Sequence, residues 1–234
     1  LKAKDTLLAY QQIAAAWRRK FSIPVVAITG SNGKTTTKDL TAAVLGARLL
    51  VQKTAANYNN EIGLPLTLLG LRAAHEAAVV EIGMRGLGQI AALAPLAAPT
   101  VAIVTNVGEV HMELLGSIEN IAKAKAELVE AVEPGGTVIL NADDARVLAM
   151  REKAKAGVRV VTFGLSRDAD VRAVAVGKAE GGMRFMLEWK NERGRLERHE
   201  LFLPMPGRHN VSNALAAIAA VRVLGLSLAD VRRG

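Results

Sequence analysis

The stretch VVAITGSNGKTTTKDL, residues 25–40, decides how the chain is read. It opens with an apolar run, turns through Gly30, Ser31, Asn32 and Gly33, and leaves through Lys34, Thr35 and Thr36 into helix-forming residues. A strand, a glycine-rich turn and a helix in that order aim backbone N–H groups and a helix N-terminus at an anion. Lys34 adds a mobile charge for the β- and γ-phosphates of a nucleotide, and the Thr35 hydroxyl can ligate Mg²⁺. The long form of such a loop is G-x-x-x-x-G-K-S/T. Here only Ser31 and Asn32 separate the two glycines, and Ile28 stands where the long form has its first glycine. That shortening, with no Asn-Lys-x-Asp guanine motif in the chain, argues against ordinary GTPases and kinases of this class. A bare glycine turn before a threonine-capped helix is the alternative, and the strand context with Gly-Lys-Thr-Thr favours the nucleotide.

Working outward, strand and helix signals alternate. Short apolar runs bounded by Gly, Pro or Asn predict strands at residues 25–29, 78–82, 101–105, 137–140 and 158–163. Helical patterns fill residues 34–45, 87–96, 117–132 and 143–156. Repeated βα crossover predicts an α/β fold, a doubly wound and mostly parallel sheet carrying the phosphate loop. Residues 6–20 read as a leading helix, capped by Asp5 or Thr6, with Leu7, Leu8 and Trp17 available to pack. Between about residues 168 and 204 the rhythm breaks. Met183, Phe185, Leu187 and Trp189 alternate with polar residues, and turn signals stand at Gly181-Gly182 and at residues 191–194. A small appended antiparallel sheet is expected there, followed by an Ala-rich helix at about 210–224 and the start of another in SLADVRRG.

Composition agrees with this class. Of 234 residues, 50% are hydrophobic and only 3% aromatic, so the core is built from Ala, Val, Leu and Ile, as suits a parallel sheet under helices. No apolar run approaches the ~20 residues of a membrane span. LKAK at the start lacks the apolar block of a signal peptide, and there is no cysteine for a disulfide or thiolate site. A cytoplasmic protein is expected. The net charge of +8 comes from Lys and Arg spread along the chain, densest at WRRK and VRRG, with few aromatics for base stacking. Acidic small molecules account for it better than nucleic acid.

Ligands of open α/β sheets lie beyond the carboxyl ends of the strands, and the unusual polar residues fall there. Glu81 ends an apolar strand and needs a partner: Mg²⁺ shared with Thr35, or a salt bridge such as one to Arg85. His111, in TNVGEVHME, follows the third strand, where a histidine is either solvated or a ligand. Lys125 falls in the middle of the stripe formed by Ile118, Ile121, Leu128, Val129 and Val132. A lysine so placed must snorkel, find a carboxylate or lose its charge.

The segments TGSNGKTTT, EIGM, TNVGEVHMELLGS, IAKAKAEL, LNADD and GRHNVSNALAA occur in that order, and with them the chain resembles the Mur ligases, ATP-dependent amide-forming enzymes of peptidoglycan synthesis. The likeness runs from about residue 5 to the end. TAANYNNEIGLPLTLL, residues 54–69, with EIGMRGLGQI is similar to the member that adds D-Ala-D-Ala to UDP-MurNAc-tripeptide. The resemblance implies ATP and two Mg²⁺ as cofactors. It implies ATP contacts from Gly30, Ser31, Asn32, Gly33, Lys34, Thr35 and Thr36, and on the adenine side from His209, Asn210 and Asn213. Asn57, Asn59 and Asn60 would meet the muramyl-peptide substrate; without the family they read as an ordinary turn, and Asn210 and Asn213 as a polar helix cap. Thr35 and Glu81 would hold one Mg²⁺ and His111 would join a second site. Lys125 matches a family lysine that is often carbamylated, which turns a cation into a metal-binding or metal-supporting carboxylate.

The implied reaction phosphorylates the terminal carboxylate of the tripeptide, and the amine of D-Ala-D-Ala then displaces phosphate. The resemblance covers the central ATP-binding domain, with residues 1–22 as a linker helix and residues 23–234 as the domain. Uridine-binding and C-terminal ligase domains are expected outside these residues, so this chain alone is expected to be inactive, and the protein monomeric. Two rivals share the loop: a folylpolyglutamate synthetase, against which the asparagines and EIGM speak, and a nucleotide-binding module without catalysis.

Overall fold

The computed structural model describes residues 2–110, 112–190 and 194–234. Its elements run α1 (Thr6–Arg18), β1 (Val25–Thr29), α2 (Lys34–Gly46), β2 (Val51–Lys53), α3 (Gly63–Leu69), β3 (Ala77–Glu81), α4 (Gln89–Ala97) and β4 (Val101–Val104). The chain continues with α5 (Met112–Leu115), α6 (Ile118–Glu130), β5 (Thr137–Asn141), α7 (Ala145–Ala149), a 3₁₀ turn (Met150–Lys153) and β6 (Arg159–Gly164). It ends with β7 (Val171–Ala179), β8 (Gly182–Lys190), β9 (Leu196–Leu203), α8 (Arg208–Val223) and α9 (Leu228–Arg233).

The nine strands of the described residues form one sheet, in the order β2-β3-β1-β4-β5-β6-β7-β8-β9. From β2 to β7 the pairings are parallel; β7–β8 and β8–β9 are antiparallel. The strands β1, β3, β4 and β5 are buried along their whole length, because helices cover both faces. Val26 and Ile28 of β1 face the core shared with Leu45 of α2 and Val211 and Leu215 of α8. Val25 and Ala27 face the opposite core, with Leu64 of α3, Ile90 of α4 and Ile121 and Leu128 of α6. After β3 the chain crosses β1 and continues on its other side, which puts the topological switch point, and so the ligand crevice, at the carboxyl end of β1.

The antiparallel strands are appended to the main sheet as expected, through the pairing of Phe163 with Val171, and Asp170 accepts hydrogen bonds from the Thr162 N–H (2.9 Å) and hydroxyl (2.8 Å) at the junction. Met183, Phe185, Leu187 and Trp189 are buried as expected, on the core that α8 shares. The turn expected at residues 191–194 falls largely outside the described residues. In α1, Asp5 is the cap, but Leu7 and Leu8 face solvent; the buried face is Ala14, Ala15 and Arg18, whose Nε donates to the Ala97 carbonyl at 2.9 Å. The helix expected at 143–156 is a short α7 capped by Asp144, which tightens into the 3₁₀ turn. Three elements lie outside the expected ones, among them the single-turn α5. β2 is a three-residue edge strand, and α3 is hidden by Gly63 and Pro65 in its first turn.

Candidate active site

The phosphate loop is pinned from β4. Its strand end carries Thr105 and Asn106: the Thr105 hydroxyl donates to the Asn32 carbonyl (2.7 Å), and Asn106 Oδ1 accepts from the Asn32 N–H (2.9 Å). The Ser31 hydroxyl donates to the Gly108 carbonyl (3.0 Å), while the Gly108 N–H donates back to Ser31 Oγ (2.8 Å). Behind them Asn141 Nδ2 donates to the Thr105 carbonyl, and Asp144 Oδ2 accepts from the Val107 N–H at 2.8 Å. This relay through LNADD was not read from the sequence, because only the fold brings the ends of β4 and β5 to the loop.

Both loop glycines are required by close approach. Gly30 has φ +150°, and a Cβ there would stand 1.8 Å from Thr105 Oγ1. Gly33 has φ +80°, and its Cβ would stand 2.3 Å from Asn213 Oδ1. Gly33 is also the cap of α2 and supplies no side-chain acceptor, so the first-turn N–H groups of α2, where Lys34, Thr35 and Thr36 lie, face the crevice without an intrahelical partner. Lys34 Nζ folds back onto the loop, donating to the carbonyls of Gly30 (2.8 Å) and Ser31 (3.1 Å). Burial lowers its pKa, and the nearby Glu81 charge acts in the opposite direction.

Glu81 closes β3 beside Ile28 of β1 and is 1% exposed. Its partner is not Arg85. Thr35 Oγ1 donates to Oε2 at 2.9 Å, Asn59 Nδ2 donates to Oε1 at 2.6 Å, and the Glu81 N–H donates to Thr54 Oγ1 at 3.0 Å. The carboxylate is thus buried among neutral donors, with the Lys34 charge acting on it through space.

The three asparagines divide their work. Asn59 orients Glu81; Asn60 Oδ1 accepts from the N–H groups of Ile62 (3.2 Å) and Gly63 (2.9 Å) and so caps the entry to α3; Asn57 is exposed at the rim. All three line a cleft of about 600 Å³ together with Gly30, Ser31, Lys34, Arg85 and Lys125. Gln11 of α1 lines it too and donates to the Glu61 carbonyl at 3.1 Å, so the leading helix reaches the cleft wall.

Lys125, 3% exposed on α6, ends in this cleft with no hydrogen bond or ion pair among the described residues. Its pKa is pushed down to about 7 by burial, with the Lys34 charge adding to the effect. A neutral amine is thus available near neutrality. His111 lies outside the described residues.

On the far side of the loop, Asn213 Oδ1 accepts from the Thr37 hydroxyl and its Nδ2 donates to Asn210 Oδ1, both at 3.3 Å. Asn210 Nδ2 donates to the Pro206 carbonyl at 2.7 Å. The expected capping role is absent: the cap of α8 is Gly207, with no side-chain cap bond, because Asn210 and Asn213 sit inside the helix, Asn213 bonded to Thr37 of α2. His209 is exposed beside Gly207.

With this geometry in place, residues 28–221 match the Mur ligase middle domain family. The chain is 47% identical over 231 residues to the UDP-N-acetylmuramoyl-tripeptide--D-alanyl-D-alanine ligase of Synechocystis sp., covering 99% of this chain and 47% of that protein. Among solved structures it is similar to MurF from Acinetobacter baumannii (TM-score 0.92, 34% identity, 99% of this chain and 50% of that one). It is also similar to MurF ligase from Thermotoga maritima in complex with ADP (TM-score 0.85, 27% identity, 99% and 53%). The chain spans about half the length of the curated relatives it matches.

Proposed function

The chain belongs to the Mur ligase family, and from that premise we propose that it is the nucleotide-binding and acyl-activating part of a ligase that joins D-Ala-D-Ala to UDP-MurNAc-tripeptide. The observation that carries the reading is the meeting of Lys34, Asn59 and Lys125 in one cleft at the end of β1, with Asn59 bonded to the Glu81 carboxylate that Thr35 also holds.

ATP would lie along the phosphate loop, its phosphates on the N–H groups of α2 and its base toward His209, Asn210 and Asn213. A carboxylate oxygen of the tripeptide attacks the γ-phosphorus; the bond to ADP breaks and an acyl phosphate forms. The amine nitrogen of D-Ala-D-Ala then attacks the acyl carbon, loses its proton, and phosphate leaves. Lys34 would exchange its two carbonyl acceptors for phosphate oxygens and balance the charge that moves between phosphate and carboxylate. Asn57 and Asn60, at the cleft rim, would meet the muramyl peptide.

The donors fit Mg²⁺. Thr35 and Glu81 offer hard oxygens, and the buried Glu81 charge has no ion pair among the described residues. No cluster of three acidic, histidine or cysteine side chains stands among those residues, as suits an ion that keeps waters and takes substrate oxygens. Bound there, Mg²⁺ would neutralise phosphate charge and polarise the phosphorus. A second ion is assigned to His111 and to Lys125, whose neutral amine would add to CO₂ and release a proton to give a carbamate.

The uridine-binding and amino-substrate domains are assigned outside these residues. No helix of the described residues is long and apolar enough to cross a membrane, and a monomer acting in the cytoplasm fits such water-soluble precursors. The test is phosphate release by the full-length protein with Mg·ATP and UDP-MurNAc-tripeptide, with and without D-Ala-D-Ala. Release that requires both substrates supports the reading. Release only with folate and glutamate overturns it in favour of the folate ligase.

A further inference from the structure

One buried cation takes no part in the chemistry described above. Lys38 lies one turn beyond Lys34 on α2 and is 1% exposed, among the largest fully buried side chains of the described residues. Its Nζ donates to the Ala56 carbonyl at 2.7 Å; the nearest carboxylate, Asp39, is 3.7 Å away, half-exposed, and held by Lys53 at 2.7 Å. Burying a lysine only to satisfy one carbonyl is costly unless that carbonyl has to be held.

Ala56 is where holding is needed. It has φ +45°, a left-handed conformation that a residue with a Cβ rarely adopts unless its surroundings impose it. Directly after it come Asn57, Tyr58, Asn59 and Asn60. That loop is tied at Asn59, whose carbonyl accepts the Gly83 N–H at 2.9 Å and whose side chain donates to Glu81. The same helix that supplies Lys38 supplies Thr35, the other donor to the Glu81 carboxylate. Helix α2 therefore grips the carboxylate twice: directly through Thr35, and indirectly through Lys38, the Ala56 turn and Asn59.

We propose that Lys38 is a positioning residue that holds the Ala56 turn so that Asn59 keeps Glu81 aimed at Thr35, coupling the phosphate-loop helix to the substrate loop. The inference rests on the proposed function for its kinetic consequence, but not for its structural one. Lys38→Met, of similar length and apolar, removes the donor while filling the space. In the full-length protein it should lower kcat/KM for the acyl substrate by about 10- to 100-fold, while ADP affinity, set by the loop itself, stays within about twofold. Combined with Asn59→Ala, the losses should not add, because both changes release the same link. Amide hydrogen exchange should quicken at Tyr58 and Asn59 and remain unchanged along α2. Lys38→Gln, which keeps an N–H donor on a shorter stem, should fall between wild type and Lys38→Met in both readouts.

Additive losses, or equal weakening of ADP and acyl substrate, would overturn the proposal, as would unchanged exchange at Tyr58 and Asn59. Wild-type protein without ligase turnover would sink the proposed function instead, and the exchange data would still decide the role of Lys38.

Discussion

Two lysines buried to nearly the same extent, Lys38 on α2 and Lys125 on α6, stand on opposite faces of the sheet and behave differently. Lys38 Nζ donates a hydrogen bond to a carbonyl 2.7 Å away and serves the shape of a loop. Lys125 has no such acceptor among the described residues, ends in the cleft, and its pKa is pushed down to about 7. Burial alone does not make a lysine reactive. What matters is whether the surroundings supply an acceptor or withhold one.

The largest effect that bears on this contrast should come from Lys34, whose charge contributes to the lowered pKa of Lys125. Lys34→Ala should reduce phosphate release by roughly 10³-fold with an unchanged circular-dichroism spectrum. Turnover that survives in such a folded variant would remove Lys34 from the chemistry. Next, Lys125→Ala should cost on the order of 10²-fold in turnover, and short carboxylic acids should restore part of it by standing in for a carbamate. A folded variant that binds ATP and shows no rescue would leave Lys125 as a plain amine.

A third, smaller effect reads Lys125 without any substrate. Its usual pKa of 10.5 is retained in the unfolded chain, whereas the fold lowers it to about 7. Between those values the unfolded state binds the extra proton, so stability rises with pH across the window and is lowest below it. Urea unfolding at pH values near the two ends should show this rise in wild type and a flatter profile in Lys125→Met. Equal slopes would mean that the lysine keeps its proton in the fold. The smallest change is expected at the Asn210–Asn213 pair of α8. Asn213→Ala removes a hydrogen bond from the Thr37 hydroxyl and one to Asn210, and should lower stability by about 1 kcal/mol, measured by denaturant titration, with a modest rise in the KM for ATP.

The parts of the molecule legible in the sequence are those built from local rules. The β1–loop–α2 unit is announced by one continuous stretch, and the buried strands by their apolar runs. Lys125 showed itself as a cation in an apolar stripe, because helical periodicity is local. Glu81 showed itself as a carboxylate needing a partner, but which partner could not be read, since Asn59 reaches it only through the fold. The short edge strand β2 is too polar to stand out, and α3 hides behind Gly63 and Pro65, residues that usually mark turns. Lys38 was invisible as a functional residue. Nothing local in TTTKDL marks it for burial, and it meets the Ala56 carbonyl only through the fold.

Phosphorylation of a carboxylate in this cleft is the step on which the proposed function stands. The most direct measurement supplies the full-length protein with ATP, D-Ala-D-Ala and UDP-MurNAc-tripeptide labelled with ¹⁸O in its terminal carboxylate, and follows the label. An acyl phosphate leaves the attacking oxygen on phosphorus, so the released phosphate should carry a single ¹⁸O. Label in AMP, or phosphate released without label during amide formation, would contradict it.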